Sequence, residues 1–360
     1  MSIKSKKYGG TGDPVFESVG ALHIHTTYSD GTGTVPDVAG YAARHKLEWI
    51  IITDHEHLRA KDLGEEGFYS SVCVLVGSEL GDEKHHNHYL AFGIDKVPNS
   101  SDPDVIVRSV RDQGGFGAIA HPHEKRDVFK DMPPYPWTAW DVRIDGIEIW
   151  NQLSQWVEGL TRINRIHHFL HPLKSLTRPD PETLAVWDRL NLDHQVIGFV
   201  GVDAHAMRYP LFGGLIHVKV FHYKVQFRSL RTHLLLSSPL DKENLTIAEN
   251  QVLTALRTGR HFGANHRLGK ADGFIFYSVV NGERVLPADC IEPGNPVRFV
   301  VHTPLDAEII LLRNGREVVK TQGRSLEHTS DQEGVWRVEA HRKGRGWIYS
   351  NPIRVLKETH

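Results

Sequence analysis

Along most of the chain, short runs of wholly apolar residues alternate with stretches whose apolar positions recur every three to four residues, a pattern that predicts strands followed by helices. Strands are expected at 22–25, 49–52, 72–77, 88–94, 117–120, 146–151 and 196–201, and helices over 36–46, 104–113, a region ending near Leu170, and 181–192. The strands are apolar on both faces, as in a parallel sheet covered on each side, and so many units favour a closed barrel. In the first of them, an extended Leu22-His23-Ile24-His25 would put both histidines on one face and both aliphatic residues on the other. Asp30 follows in a segment of turn composition before Gly31, placed to swing its carboxylate over the same spot.

Beyond His205 the pattern changes. A strand is expected at 213–220 and a helix at 247–257, closed by Gly259. The basic segment 225–236 reads as a helix that packs Leu230, Leu234 and Leu235 inward with its arginines in water. From 273 onward only short strands are expected, at 274–280, 297–302, 308–313, 317–320, 334–340 and 347–349, with Asn281-Gly282 and Asn314-Gly315 as turn dipeptides. The expected organisation is an N-terminal extension (1–20), an α/β barrel domain (21–270) and a small antiparallel β-sandwich-like domain (271–360).

Composition narrows the function. A net charge of −2 over 360 residues gives no electrostatic reason to expect nucleic acid as a partner. The 2 cysteines, Cys73 and Cys290, support neither a disulfide framework nor a thiolate zinc site, and suggest a cytoplasmic protein. Met1 to Lys7 is lysine-rich but runs into Gly9-Gly10-Thr11-Gly12, so neither a signal peptide nor a membrane anchor is expected. The anomaly is histidine, of which there are 24. His23 and His25, Asp54 and His55, Glu79, His121, and Asp203 and His205 lie at or just past the ends of expected strands, where a β/α barrel places its chemistry. One such histidine would be an ordinary structural residue. A set at five strand ends is harder to explain that way, since each buried imidazole or carboxylate would need a partner of its own.

His23-x-His25 with Asp30-Gly31, Thr53-Asp54-His55, Ser78-Glu79, the strand opening at His88, Ala120-His121-Pro122 and Asp203-Ala204-His205 together resemble the PHP superfamily, named for polymerase and histidinol phosphatase. The resemblance runs from about Ala21 to His205. It implies a distorted (β/α)7 TIM-like barrel that binds two or three divalent metal ions and acts as a metal-dependent phosphoesterase. It further implies that His23, His25, Glu79 and Asp203 hold one metal, and that Glu79, His88 and His121 hold a second with Glu79 bridging. Asp30, His55 and His205 would hold a third, where some members carry histidine in place of Asp30. His88 is chosen over His85 and His86 because the family histidine directly precedes an apolar run ending in glycine. Nitrogen and oxygen ligands without thiolate suit zinc, manganese or iron alike.

Such ions share a water, lower its pKa and bind phosphate oxygens, so hydrolysis follows from the ligand set itself, with Glu79, Asp203 and His205 at its centre. Ligation requires neutral imidazoles, and activity is expected to fall as pH drops through the histidine range. Asp54 is a candidate to orient the imidazole of His55. Glu56, His57, His123 and Asn151 lie where a substrate would meet the strand ends, and Arg126, Arg143 and Arg208 are the candidate phosphate-binding arginines, Arg208 being best placed by sequence. His167, His168 and His171 are expected at the surface. The expected substrate is a small phosphorylated metabolite or nucleotide. The order of barrel, β-domain and closing Trp347-Ile348-Tyr349 also resembles a branch typified by carbaryl hydrolase, which makes carbamate, ester or amide cleavage the first alternative. A non-catalytic, metal-stabilised binding protein is the second. Exonuclease activity is disfavoured by the neutral charge. The amidohydrolase barrel looks for a bridging lysine in mid-barrel and an aspartate on a late strand, and it fits less well than the PHP pattern of Glu79 and Asp203-Ala204-His205 does.

Overall fold

In the computed structural model, which describes residues 15–82, 86–126, 133–161, 163–211 and 216–357, the chain is an α/β protein with a large mixed sheet and a second sheet of five strands. The stretch 1–7, His85 and Gly213 lie outside those residues. The first strands are β1 (Phe16–Ala21), β2 (Trp49–Ile52), β3 (Gly67–Tyr69), β4 (Val72–Val76), β5 (Ser78–Leu80), β6 (Tyr89–Phe92), β7 (Phe116–Ile119), β8 (Gly146–Asn151) and β9 (Ile197–Gly201). β1 begins inside the span expected to be an extension and ends at Ala21, before the histidines.

Hydrogen bonds run round these strands in a ring. β1 pairs parallel with β2, and β2 with β4. Past Gly77 the chain continues as β5, held by Gly77 N–H to Ile52 O (2.7 Å) and Glu79 N–H to Asp54 O (3.3 Å). From there β5 pairs with β6, β6 with β7, β7 with β8 and β8 with β9. The segment after β9 returns to the segment after β1 through Ala204 N–H to His23 O (3.1 Å) and His25 N–H to Ala204 O (2.9 Å). The sequence pattern suggests an all-parallel sheet, but β6 is antiparallel to both neighbours. The link from Leu80 to Tyr89 is too short for a crossover helix, consistent with the antiparallel pairing of β5 and β6.

Side-chain caps start the covering helices over Val35–Arg44, Pro103–Asp112, Gln152–Glu158 and Pro181–Asp193, whereas among the described residues none starts the short ones over Arg59–Asp62 and Arg165–Leu170. In α1 (Val35–Arg44) Thr34 and Asp37 form a reciprocal capping box, with Pro36 in the first turn, and Val35, Val38, Ala39 and Ala42 are buried. A four-residue turn, α2 (Arg59–Asp62), follows β2. Asp102 caps α3 (Pro103–Asp112), which buries Ile106, Val107 and Val110. The region ending at Leu170 is two short helices, α4 (Gln152–Glu158) and α5 (Arg165–Leu170). Asp180 caps α6 (Pro181–Asp193).

An antiparallel pair, β10 (Arg208–Leu211) and β11 (Ile216–Lys219), precedes α7 (Tyr223–Gln226). The helix expected over 225–236 is replaced by β12 (Leu230–Leu236), antiparallel to β1 on one side and to β13 (His261–Asn265) on the other. Its Leu230, Leu234 and Leu235 are buried as expected, but both faces are covered, so the alternation that would mark a strand is missing. Between these strands, α8 (Leu245–Arg257) is capped by Asn244 and ends before Gly259, whose φ is +71°.

The remaining strands are β14 (Ile275–Val280), β15 (Glu283–Val285), β16 (Cys290–Ile291), β17 (Val297–Arg313), β18 (Arg316–Ser330), β19 (Gly334–Arg342), β20 (Arg345–Ser350) and β21 (Ile353–Val355). The two strands expected at 297–302 and 308–313 are one. Pro304 interrupts the pattern, and a register shift between His302 and Ala307 absorbs it. Both residues of Asn281-Gly282 and of Asn314-Gly315 have positive φ, as tight hairpin turns require. All pairings here are antiparallel except β16 with β21. β20 pairs with β13, so one sheet joins strands before residue 271 to strands after it, and one hydrophobic cluster joins Leu235, Phe262 and Ala264 to Phe299, Trp336 and Trp347.

Candidate metal centre

Glu79 sits on β5, 1 % exposed, with imidazoles around both carboxylate oxygens. Oε1 lies 2.7 Å from His88 Nδ1 and 3.1 Å from His121 Nε2. Oε2 lies 3.1 Å from the Nε2 atoms of both His23 and His25, and 3.5 Å from His55 Nδ1. Asp203 Oδ1 approaches the same face, 3.5 Å from His23, 3.6 Å from His25 and 3.2 Å from His205. Asp30, more than half exposed, closes the outer side at 3.1 Å from His205, 3.6 Å from His25 and 3.7 Å from His55. The structure therefore brings His23, His25, Asp30, His55, Glu79, His88, His121, Asp203 and His205 together in one cluster.

The backbone route differs from the extended one expected. His23 has φ +65°, His121 +29° and Asp203 +50°, left-handed conformations that carry strain in non-glycine residues. His23 and His25 thus reach Glu79 across a kink, with ring centroids 5.3 Å apart, and not as alternate residues of a strand. Surrounding bonds hold each kink. Gln226 Nε2 donates to the carbonyls of Val202 (2.7 Å) and Asp203 (3.2 Å). Tyr223 Oη donates to His25 O (2.8 Å) and accepts from the N–H groups of Thr32 and Gly33 (3.1 Å each), tying down the loop that carries Asp30. A side chain at Gly31 would sit 2.3 Å from His25 O, so the loop needs glycine there.

Asp54 is not the orienter of His55. Its carboxylate accepts from Thr26 N–H (2.7 Å), Thr26 Oγ1 (2.6 Å) and Ser29 Oγ (2.6 Å), and so fixes the loop after β1. The orienting carboxylate is Glu148, which the sequence pattern hides as one charged residue within the apolar Gly146-Ile147-Glu148-Ile149-Trp150 run. Buried to 1 % exposure, it accepts from His23 Nδ1 (2.9 Å), His121 N–H (2.8 Å) and Asn151 Nδ2 (2.8 Å), which directs His23 Nε2 at Glu79. A carboxylate behind a ligating imidazole fixes its tautomer and strengthens it as a donor. Glu148→Gln is expected to weaken metal binding by about 10- to 100-fold with the fold intact, read by metal titration against a chromophoric chelator.

Of the candidate substrate residues, Asn151 is turned inward. Its amide donates to Glu148 and to Asp203 Oδ2 (3.1 Å) and its Oδ1 caps α4, so it positions Asp203 and has no proton left for a substrate. His123 accepts or donates at Thr183 Oγ1 (2.8 Å), stacks on Trp140, and lines a small cleft with His121, Glu124, Ile149, Trp150 and Asn151. Arg208 is exposed at the start of β10. Arg126 is the arginine connected to the cluster: it donates to buried Glu124 (2.7 Å) and lies over Tyr135, whose ring stacks on His88 at 5.1 Å.

The donors fit metal ions. His25 Nε2 and His121 Nδ1 are buried without a hydrogen-bond partner among the described residues, an expensive state that a ligated ion relieves for His25 Nε2, which faces Glu79. The charges are arranged accordingly. Burial opposes ionisation of Glu79, but His23, His55 and His88 overcome it and hold the carboxyl well below the usual range. Asp203, also against burial, is held at about 2 by His23 and His205. His55 and His121 are raised to about 9 despite burial, chiefly by Glu79 and by Glu124 respectively, whereas burial and His205 lower His25 to about 4. The protons on the raised imidazoles balance the carboxylates as cations would, and metal binding must displace them. Divalent ions are the group this cluster suits.

No family model and no curated protein matches the chain. Among solved structures, it is similar to a two-domain protein containing a predicted PHP-like metal-dependent phosphoesterase from Bacteroides vulgatus, at 15% identity over 96% of this chain and 99% of that one, with a TM-score of 0.49. A protein named as a metal-dependent phosphoesterase from Bifidobacterium adolescentis is 16% identical over 51% of this chain and 87% of its own, with a TM-score of 0.31. An amidohydrolase from Chromobacterium violaceum with bound sulfate and no metal is 15% identical over 51% and 87%, with a TM-score of 0.34. The histidine and carboxylate cluster of this chain fits a metal site.

Proposed function

We propose that this protein is a metal-dependent hydrolase that cleaves phosphoesters of small molecules. The observation that carries the proposal is Glu79, one buried carboxylate with His88 and His121 at one oxygen and His23, His25 and His55 at the other, the arrangement of a ligand shared between two cations. In this reading His23, His25, Glu79 and Asp203 hold one ion, Glu79, His88 and His121 a second, and Asp30, His55 and His205 a third. Such ions, when bound, supply an acidified water and neutralise charge on the phosphate and the leaving oxygen.

The chain's own groups do the rest. Glu148 and Asn151 hold His23 and Asp203 in position, and Asp54 holds the Asp30 loop. Arg126 is paired with Glu124 and lies over Tyr135, whose ring stacks on His88, and Glu124 lines the cleft past His121. We further read the ring of strands as the distorted seven-stranded barrel of residues 21–270, and residues 271–360 as a β-sandwich-like domain sharing its sheet.

Elemental analysis of the purified protein, with p-nitrophenyl phosphate and a carbamate ester assayed on the same sample, tests this. Two or three equivalents of transition metal are expected, with phosphatase turnover that is lost in chelator and restored by metal. Metal with carbamate turnover alone would overturn the phosphoester assignment, and a protein that cannot be loaded with metal would overturn the hydrolase.

A further inference from the structure

A second group of metal-ligating atoms lies apart from the Glu79 cluster, where β1, β12 and β13 meet the start of the C-terminal strands. His233 on β12, His266 just after β13 and Asp272 before β14 bring one ligand atom each within 4.8 Å of one another. His233 pairs with Val19 of β1, four residues before His23, so the two groups are separated by on the order of 10 Å along the strand.

The geometry points to a mononuclear site for a zinc-class divalent ion on His233 Nε2, His266 Nε2 and the Asp272 carboxylate. His233 is fully buried and stacked on Phe262, with centroids 4.6 Å apart and planes at 18°. Its Nδ1 is engaged by the Glu17 carboxylate, whose other oxygen accepts from Gly273 N–H at 2.7 Å. That contact fixes the tautomer and leaves Nε2 as a lone pair, the same carboxylate-behind-imidazole arrangement that Glu148 makes with His23. The lone pair meets His266 Nε2 at 2.6 Å. In the metal-free protein one proton lies between the two nitrogens. An ion replaces that proton if the rings part by a few tenths of an ångström each, since metal–nitrogen bonds of about 2.0–2.1 Å at a tetrahedral angle put the nitrogens ~3.3 Å apart. Asp272 is exposed, which gives it freedom to swing in and leaves the fourth position to solvent.

The choice of ion follows from charge. Arg231 and Lys270 stand near His266, and Arg231 also near Asp272, so the charges of Glu17 and Asp272 are already balanced. A hard cation such as magnesium or calcium gains little there, whereas an ion that bonds to imidazole nitrogen does. Once bound, it clips β1 and β12 to the turn after β13 and to the link into β14.

The test uses the full-length protein, stripped with chelator, loaded with Zn2+ alone and desalted, with metal content and melting temperature measured for wild type, Asp272→Asn and His266→Gln. Both variants should hold one equivalent less than wild type and lose several degrees of zinc-dependent rise in melting temperature, while Mg2+ should give wild type no such rise through this site. Equal zinc content in wild type and both variants would overturn the site. Asp272→Asn changes an exposed side chain and gives the count even if His266→Gln does not fold. The comparison reads a difference between chains, so it stands whether or not the protein hydrolyses phosphoesters.

Discussion

Glu79→Gln is expected to lower phosphoester turnover by roughly a thousandfold while the protein still folds. The size follows from what one substitution removes. A bridging carboxylate serves two cations at once, and an amide of the same shape keeps one acceptor oxygen and turns a donor NH2 toward the second set of imidazoles. Charge stabilisation by bound metal is worth several kcal/mol, and about 4 kcal/mol corresponds to three factors of ten in rate. Metal content should fall with activity, because His88 and His121 at one oxygen and His23, His25 and His55 at the other lose their common anion together. His167→Ala is the control. His167 is an exposed residue of α5 whose partner is Lys174, and its loss should leave turnover within about twofold. Comparable losses in both variants at unchanged metal content would sink the assignment of Glu79.

How far the sequence shows this site depends on where each residue lies relative to its strand. Histidines and carboxylates that directly follow an apolar run stand out, because the run predicts the strand and its end predicts the site. His121 after Phe116–Ile119 and Asp203 after Ile197–Gly201 are of this kind. Glu148 does not stand out. It lies inside the run, where a period-two pattern gives no reason to single out one residue, although a carboxylate in an otherwise apolar and fully buried strand is itself a signal, since it cannot be ionised there without partners. Tyr223 and Gln226 are further from view: they hold His25 and Asp203 from a helix that no local motif connects to them. The fold divides in the same way. Helices begun by Asp102-Pro103 and Asp180-Pro181 are legible because the cap and the proline act locally. β12 is not, because its strand form is imposed by pairing with β1 and β13 on its two edges, while burial on both faces removes the alternation that would mark it. The polar edge strand β18 likewise exists through its pairing with β17 and carries little apolar pattern of its own.

The join between the two parts of the chain should be the point most sensitive to loss of a single charge. Arg337 on β19 is 2 % exposed and donates from Nε and Nη2 to the two oxygens of Asp188 on α6, at 2.6 and 2.8 Å, and from Nη1 to Glu339 Oε1 at 2.6 Å. Its guanidinium also lies over the Trp187 ring, 5.3 Å from the centroid. Burial alone would push Glu339 up, yet His341 and Arg337 hold it ionised at about 2, so removing the arginine leaves buried Asp188 without that guanidinium and Glu339 with His341 alone to balance it. Breaking a buried pair from one side costs about 3–5 kcal/mol, because the stranded charge and not the lost attraction dominates. Arg337→Met should therefore lower the melting temperature at neutral pH by roughly 5–10 °C. The triple variant Arg337→Met, Asp188→Asn, Glu339→Gln should recover more than half of that loss, since it removes the stranded charges along with their partner. A triple variant no more stable than Arg337→Met would mean that the arginine acts through its packing on Trp187, and that the charge pairing contributes little to holding α6 against β19.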